Sequence, residues 1–180
     1  MKIEINPSIL YKFTLDDYVD LNASIIPKVR KLKEGNPDGI LVSNYGGWHS
    51  QRLFENKRDE FNDLCTIILD CFKKNVVQEW ANTFLAELWF NVNQKGDSNK
   101  WHKHGRFRFS GVYYIKAPEN SGDLLFTRNM NVSAEKHEYK ELSIKPSEGD
   151  IYFFPGFCYH SVGTNNSDKE RISCSFNIQV

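Results

Sequence analysis

The sequence has no excess of charge of either sign, because 23 lysine and arginine residues are balanced by 23 aspartate and glutamate residues. A balanced chain has no overall field that would draw it to nucleic acid or to an anionic membrane surface. No stretch approaches the roughly 20 apolar residues that a transmembrane helix needs. The opening MKIEINPSILYKF lacks the apolar core and the cleavage site of a signal peptide. These absences predict a soluble, cytoplasmic protein with no membrane association and no clear nucleic-acid-binding signal.

Cysteine is scarce, and its pattern excludes two classes of protein. Cys65, Cys71, Cys158 and Cys174 form neither a C-x-x-C motif nor the dense spacing of a secreted disulfide scaffold. We therefore expect reduced, mostly buried thiols, as in a cytoplasmic protein.

Aromatic residues, in contrast, make up 14% of the chain, and from residue 83 onward the pattern is that of strands. Short apolar or alternating runs are separated by turn-rich segments such as QKGDSN and GTNNSDKE. The predicted strands cover residues 84–93, 108–116, 123–127, 150–155, 159–163 and 170–179. The polar stretch 128–147 has room for at most one more strand. Such regular spacing predicts an antiparallel sandwich or barrel.

Two helices are predicted before this β-rich region. The first follows Thr14 as its N-cap, and Pro27 is expected to break or kink it. The second covers residues 58–80, where apolar residues recur at spacings of three and four. The chain is thus expected to be one domain, with strands and helices over residues 1–82 and the β core over residues 83–180.

Histidine is also rare, yet two of the five histidines, His102 and His104, are one residue apart. Residues i and i+2 of a strand point to one face, so two imidazoles spaced in this way can bind one metal ion. A third histidine, His160, follows the run DIYFFP, and Arg171 lies on the next predicted strand. Three histidines from distant strands leave coordination positions open, and an arginine offers a fixed fork for a carboxylate. The pattern predicts metal-centred chemistry that involves an anionic small molecule.

Several stretches, taken together, resemble the 2-oxoglutarate and Fe(II)-dependent oxygenases of bacteria and phages. The resemblance runs from about residue 40 to the C-terminus. The matching stretches are SNYGGWHSQ (43–51), FNVNQKGDSNKWHKH (90–104), FSGVYYI (109–115), SGDLLF (121–126), EGDIYFFPGFCYHSV (148–162) and ERISCSFN (170–177).

The resemblance implies a fold, a reaction and a set of site residues. The fold would be a double-stranded β-helix, also called a jelly roll, with flanking helices. The reaction would use Fe(II), 2-oxoglutarate and O2 to hydroxylate an unidentified substrate, releasing succinate and CO2. His102, His104 and His160 would hold the iron. Arg171 and Ser173 would anchor 2-oxoglutarate, and further contacts to it are assigned to Asn91, Tyr113 and Asn177. Independently of the resemblance, the GGWHSQ loop and the basic residues around the histidine pair make His49, Arg106 and Arg108 the substrate-binding candidates.

Two questions stay open at this point. The wider superfamily has a carboxylate where this chain has His104, so Asp97 or Asp123 remains an alternative iron ligand. Gly96 and Gly149 also precede the histidine motifs with the spacing of cupins, although the cupin glutamate is missing. A three-histidine metalloenzyme independent of 2-oxoglutarate, or a metal-free jelly-roll binding protein, is therefore a rival hypothesis.

Overall fold

The computed structural model describes residues 1–5, 8–54, 59–76, 82–127 and 141–180. In these ranges the chain forms two helices and twelve strands, arranged as two antiparallel sheets. The helices are α1 (Tyr18–Gly35) and α2 (Asn62–Asn75), the latter preceded by a 3-10 turn at Asp59–Phe61. The strands before the β-rich half are β1 (Lys2–Ile5), β2 (Ser8–Thr14), β3 (Asn44–Tyr45) and β4 (Trp48–His49).

The remaining eight strands form the core of the molecule. They are β5 (Phe84–Asn93), β6 (Ser98–His102), β7 (Phe109–Lys116), β8 (Leu124–Thr127), β9 (Glu141–Ile144), β10 (Asp150–Pro155), β11 (His160–Val162) and β12 (Arg171–Gln179). One sheet has the order β1-β2-β10-β7-β12-β5-β4, and the other has the order β3-β6-β11-β8-β9. The prediction of an antiparallel double-stranded β-helix with flanking helices is confirmed.

Both helices pack on the outer face of the seven-stranded sheet. Alternate residues of its central strands, such as Phe90, Ile115 and Phe153, form an apolar cluster with Val29 of α1 and Leu64 of α2. Leu64 is only 1% exposed, so the predicted apolar stripe of the second helix is buried. The opposite faces of these strands, together with Leu124 and Phe126 of β8, form a second cluster between the two sheets.

The helix boundaries differ from the prediction. Thr14 does not cap α1, because it is the last residue of β2 and its hydroxyl donates to Asp150 Oδ1 at 2.8 Å. Asp17 occupies the N-cap position, and the helix continues through Pro27 to Gly35 as one element. The second helix begins at Asn62, since residues 59–61 form a 3-10 turn. Its predicted end at residues 77–80 lies outside the described residues, and so does His137, which is predicted from the polar sequence around it to be solvated.

Among the described residues, no helix has the length and apolar character needed to cross a membrane. All four cysteines are free thiols, and three of them, Cys65, Cys158 and Cys174, are buried.

Candidate metal centre

Three histidines converge in the space between the sheets. The pairing of β6 with β11 sets His102 directly opposite His160, and His104 follows two residues after β6 ends. The ring centroids are 4.3 Å apart for His102 and His160, 5.0 Å for His102 and His104, and 5.3 Å for His104 and His160. One nitrogen of each ring lies within 4.8 Å of the others. Ligands bound to one ion at ~2.1 Å are about 3 Å apart, so the three nitrogens lie near this spacing and would have to move somewhat closer to share an ion.

The two neighbouring histidines lie at the end of a short strand, where His102 is the last residue of β6. The strand that contains FSGVYYI, β7, starts at Phe109 in the other sheet. His104 is held by its backbone N–H, which donates to the carbonyl of Gly156 at 2.7 Å.

Two of the imidazoles are oriented by the backbone. His102 Nδ1 lies 2.6 Å from the carbonyl of Lys100, and His160 Nδ1 lies 3.0 Å from the carbonyl of Cys158. A carbonyl only accepts, so each neutral ring must carry its proton on Nδ1 and present Nε2 as a lone pair. This arrangement fixes the tautomer that a metal ligand needs.

Burial keeps all three imidazoles neutral. Burial, together with the neighbouring His102, Arg52 and Arg106, lowers the pKa of His104 to about 3. Burial also lowers the pKa of His102, and it places the pKa of His160 well below 6.5. A neutral cluster of nitrogen lone pairs close to one another suits a divalent cation of the iron or zinc type.

Beside the histidines, the cavity ends at a buried arginine. Arg171 is 1% exposed, and its Nη1 donates to the carbonyls of Ser121 and Gly163. Its Nη2 and the hydroxyl of Tyr114 are both buried, and neither has a hydrogen-bond partner among the described residues. Buried donors without partners are costly, so this end of the cavity is built for an acceptor that the protein itself does not supply.

The position of the Arg171 side chain depends on the absence of a side chain at Gly122. Its φ of 94° is in the left-handed region, and a Cβ at this position would lie 2.7 Å from Arg171 Nη1 and 2.2 Å from the carbonyl oxygen of Gly163. Only glycine allows the backbone to approach the guanidinium this closely.

Side chains at alternate positions of β5 and β12 complete the cavity wall. Asn91 lies opposite Ser173, its Nδ2 donates to Ser175 Oγ at 3.3 Å, and its buried Oδ1 has no partner among the described residues. The cavity is lined by the three histidines and by Trp89, Asn91, Asn99, Arg171, Ser173 and Ser175, among others. The structure thus brings Asn91, Arg171 and Ser173 together with the histidine cluster.

Two predicted cofactor contacts lie elsewhere. Tyr113 points to the opposite face of the sheet, where its hydroxyl donates to Asn22 Oδ1 at 2.6 Å. This corrects the assignment, because side chains alternate along a strand and Tyr114 is the tyrosine that faces the cavity. Asn177 is on Arg171's face of β12, but it contacts Ser110 and Glu87 instead of the cavity near Arg171.

The substrate-binding candidates lie at the periphery. His49 is buried, pairs with Asn91 in the sheet and stacks on Trp89 at 5.8 Å. Arg106 and Arg108 line a surface groove beside the loop that follows His104.

The two alternative carboxylates have other roles. Asp97 Oδ2 accepts from the backbone N–H of Gln94 at 2.7 Å, and Asp123 Oδ2 accepts from the hydroxyl of Ser143. Within the described ranges, the three histidines form the group that meets the geometry of a metal site, and neither aspartate belongs to it.

A protein-family model described as "Putative 2OG-Fe(II) oxygenase" matches residues 87–177, which is half of the chain. The matched range contains all three histidines and Arg171. The chain belongs to the 2OG-Fe(II) oxygenase family. It is therefore an oxidoreductase of the class that uses Fe(II), 2-oxoglutarate and O2. A search of curated proteins found no match.

Solved structures of other 2OG-Fe(II) oxygenases have the same fold. A prolyl-4-hydroxylase from Pseudomonas putida has a TM-score of 0.65 at 13% identity, over 98% of this chain and 95% of its own. A viral collagen prolyl hydroxylase from Paramecium bursaria Chlorella virus-1, in complex with 2OG, has a TM-score of 0.64 at 13% identity over 94% and 97%. HygX from Streptomyces hygroscopicus, with nickel and 2-oxoglutarate bound, has a TM-score of 0.63 at 10% identity over 94% and 82%. At such low identity these likenesses establish the fold.

Sequence reasoning did not single out Tyr114, Ser175, Arg52 or Glu87. Glu87 and Ser175 could have been found from the sequence, because polar residues recur at every second position of two predicted strands. These positions are Glu87, Asn91 and Asn93 in one strand and Arg171, Ser173, Ser175 and Asn177 in the other. Polar alternation within strands that are buried on both faces indicates a polar cavity.

Proposed function

We propose that His102, His104 and His160 hold Fe(II), and that Arg171 and Tyr114 bind the far carboxylate of 2-oxoglutarate. The observation that carries this proposal is the common cavity. Three neutral imidazoles whose nitrogens lie within 4.8 Å of one another share it with a buried guanidinium whose Nη2 has no partner among the residues that the structure describes. The fit is chemical as well as geometric, because imidazoles bind Fe(II) and a guanidinium binds carboxylates.

Arg171 acts in this proposal as a fixed anion site. Its Nη1 is held by two backbone carbonyls, so Nη2 is oriented before the ligand arrives. The Tyr114 hydroxyl adds a second donor. Burial raises the pKa of Tyr114 to about 12, which keeps the phenol protonated and able to donate. Arg171 Nη2 and the Tyr114 hydroxyl would each gain a hydrogen-bond partner when 2-oxoglutarate binds. Because both donors are already in place, the protein would reorganise little.

Asn91, Ser173 and Ser175 lie along the wall between Arg171 and the histidines. Asn91 Oδ1 has no hydrogen-bond partner within the described part of the chain, and its amide is held by Ser175. We assign these side chains to orienting the co-substrate. Three neutral ligands leave Fe(II) with both positive charges, which favours the dianionic co-substrate more than a site with a carboxylate ligand does.

With both bound, Fe(II) and 2-oxoglutarate would activate O2, one oxygen atom entering succinate as CO2 is released and the other hydroxylating a C–H bond of the substrate. The chain's contribution is to bind and orient these components and to exclude water from a cavity walled by Trp89, Val112, Leu124 and Phe154. We place this activity in the cytoplasm, where free thiols stay reduced.

The experiment combines binding with turnover. Anaerobic titration should show one Fe(II) per chain, followed by 2-oxoglutarate binding that depends on the metal. Succinate release should then require Fe(II), 2-oxoglutarate and O2. Arg171→Ala should lower 2-oxoglutarate affinity about 30-fold or more with little change in Fe(II) binding, because truncating one partner of a buried charge pair costs about 2–5 kcal/mol. Unchanged 2-oxoglutarate binding in this variant would refute the assignment of Arg171.

A further inference from the structure

A fully buried carboxylate holds two arginines close to the histidine cluster. Glu87 of β5 is 0% exposed, with Oε1 3.0 Å from Arg52 Nη1 and Oε2 3.3 Å from Arg106 Nη2. Asn177 Nδ2 also donates to Glu87 Oε1 at 2.7 Å. Two guanidinium groups share one carboxylate, so this cluster of Arg52, Glu87 and Arg106 has a net charge of +1.

The arginine cluster lies beside a proposed metal ligand. The ring of Trp89 is 5.5 Å from the ring of His104, and the guanidinium of Arg52 is 5.5 Å from the ring of Trp89. Arg106 is two residues after His104. The cluster therefore borders the proposed reaction site along the face of Trp89.

The salt bridges use only part of the donor capacity of these arginines. Each guanidinium has five N–H donors in a planar fork, and a single nitrogen of each contacts Glu87. The side chain of Arg106 is 66% exposed and that of Arg52 is 31% exposed, so both are open to a ligand. Glu87 fixes one edge of each fork, which reduces the entropy lost on binding.

This cluster is too far from Arg171 for one 2-oxoglutarate to contact both. In the pairing of β12 with β5, Arg171 lies opposite Asn93 and Asn177 lies opposite Glu87. Six residues of strand separate the two positions, which is about 20 Å and more than a five-carbon dicarboxylate spans. The arginine cluster and Arg171 thus lie near opposite ends of this strand pair.

We propose that Arg52 and Arg106, oriented by Glu87, bind a carboxylate of the primary substrate, whose remaining part extends towards the histidine cluster. This rests on the proposed function, since it takes the histidine cluster as the reaction centre. A net charge of +1 matches a monoanionic carboxylate, whereas a phosphate dianion would leave the cluster with excess negative charge. The two planar guanidinium groups therefore favour a small carboxylic acid.

The test uses phenylacetate as the probe and phenylacetamide as its neutral counterpart. The protein is loaded with Mn(II), which is paramagnetic, and with saturating 2-oxoglutarate. Binding near the metal then speeds the relaxation of the probe's protons in NMR. We expect relaxation enhancement for phenylacetate and a much weaker effect for phenylacetamide. Equal effects for the two probes, or stronger binding of inorganic phosphate than of phenylacetate, would overturn the proposal.

The variants are Arg52→Gln and Arg106→Gln, each of which should weaken phenylacetate binding at least about tenfold, as expected for a charge-assisted hydrogen bond. Arg106→Lys keeps the charge without the fork and should be intermediate. Lys145→Gln is the matched control, because it removes one charge from an exposed lysine paired with Glu119. A similar loss of binding in Lys145→Gln would show a general charge effect and would contradict the site.

Two further measurements separate this inference from the proposed function. Mn(II) and 2-oxoglutarate binding are measured on every variant, and failure of the parent to bind them refutes the proposed function. Phenylacetate binding is also measured on metal-free protein by saturation-transfer NMR. Full probe binding by Arg52→Gln and Arg106→Gln refutes the carboxylate site alone. Because Arg106 is largely exposed, its variants should fold even if Arg52→Gln is unstable.

Discussion

The two faces of the seven-stranded sheet are made by the same strands but have opposite chemistry. On the helix face, Leu88, Phe90 and Val92 of β5 pack with α2 and with Cys174 and Phe176 of β12. On the cavity face, the intervening positions of β5 are Glu87, Trp89, Asn91 and Asn93, all buried. One face therefore contributes stability through apolar burial, whereas the other keeps polar groups out of water for binding.

The two faces contribute to the free energy of folding with opposite sign. Burial of apolar area on the helix face stabilises the molecule in proportion to the area removed from water. The cavity face has four buried polar atoms without partners among the described residues, on Asn91, Asn93, Tyr114 and Arg171. Such atoms destabilise the ligand-free protein, and a ligand that supplied the missing partners would stabilise it.

The largest expected effect is the loss of Fe(II) binding when a histidine of the cavity is replaced. His160→Ala and His104→Ala should each abolish stoichiometric Fe(II) binding, because each removes one of three proposed ligands. His104→Asp should retain some binding, with weaker 2-oxoglutarate affinity, since a carboxylate lowers the charge of the centre by one. Anaerobic Fe(II) titration checks these outcomes. Parent-like binding by His104→Ala would show that His104 is not a ligand.

The second-largest expected effect is the loss of stability when a charged residue replaces an apolar one on the helix face of the sheet. Leu64→Asp should destabilise the protein by at least about 3 kcal/mol, because it buries an unpaired carboxylate in the interface between α2 and the sheet. Asn62→Asp is the control, since it adds the same charge at an exposed position in the first turn of α2. Thermal unfolding of both variants decides the matter, and a parent-like melting temperature for Leu64→Asp would contradict burial of the stripe.

Adjacent tyrosines give the sharpest comparison of the two faces. Tyr114→Phe should lower 2-oxoglutarate affinity by about 10-fold or more without loss of stability, because it removes a donor that has no partner in the described chain. Tyr113→Phe should do the opposite. It deletes the hydrogen bond to Asn22 and should cost about 1 kcal/mol of stability, with co-substrate affinity unchanged. Calorimetric titration and urea unfolding of both variants test the pair, and reversed effects would mean that the faces are misassigned.

A smaller effect is expected from pH on the metal-free protein. Folding lowers the pKa of His102, His104 and His160 below 6.5, so the unfolded chain binds more protons below that pH. The stability contributed by the neutral rings is thus present above pH 6.5 and is lost as the pH falls towards the folded pKa values. The loss is at most about 1.4 kcal/mol per pH unit for each histidine.

Urea unfolding at pH 7.5, 6.5 and 5.5 measures this loss in a range where most carboxylates stay ionised. His104→Asn should reduce the pH dependence, since it removes one of the titrating rings. An identical pH dependence in parent and variant would contradict the lowered pKa of His104.

Much of the fold was predictable because it follows from local periodicity. The strands at 84–93, 150–155 and 170–179 and the apolar stripe of the second helix were visible as periods of two and of three to four residues. Thr14 was misassigned because its role depends on pairing with Asp150, which is 136 residues away. The short strands β3 and β4 carry too few residues for a periodic signal.

The sequence by itself determined the residue types of the site and its family, because the H-x-H pair, the distant histidine and the arginine stand in an order that few other arrangements share. Only the tertiary structure decided which side chains meet. The pairing of β6 with β11 sets His102 opposite His160, and the alternation of β7 selects Tyr114 over Tyr113 for the cavity. The register of β5 and β12 also brings Glu87 to Asn177. The physical reason is that a shift of one residue reverses the face of every side chain on a strand, and long-range pairing sets that register.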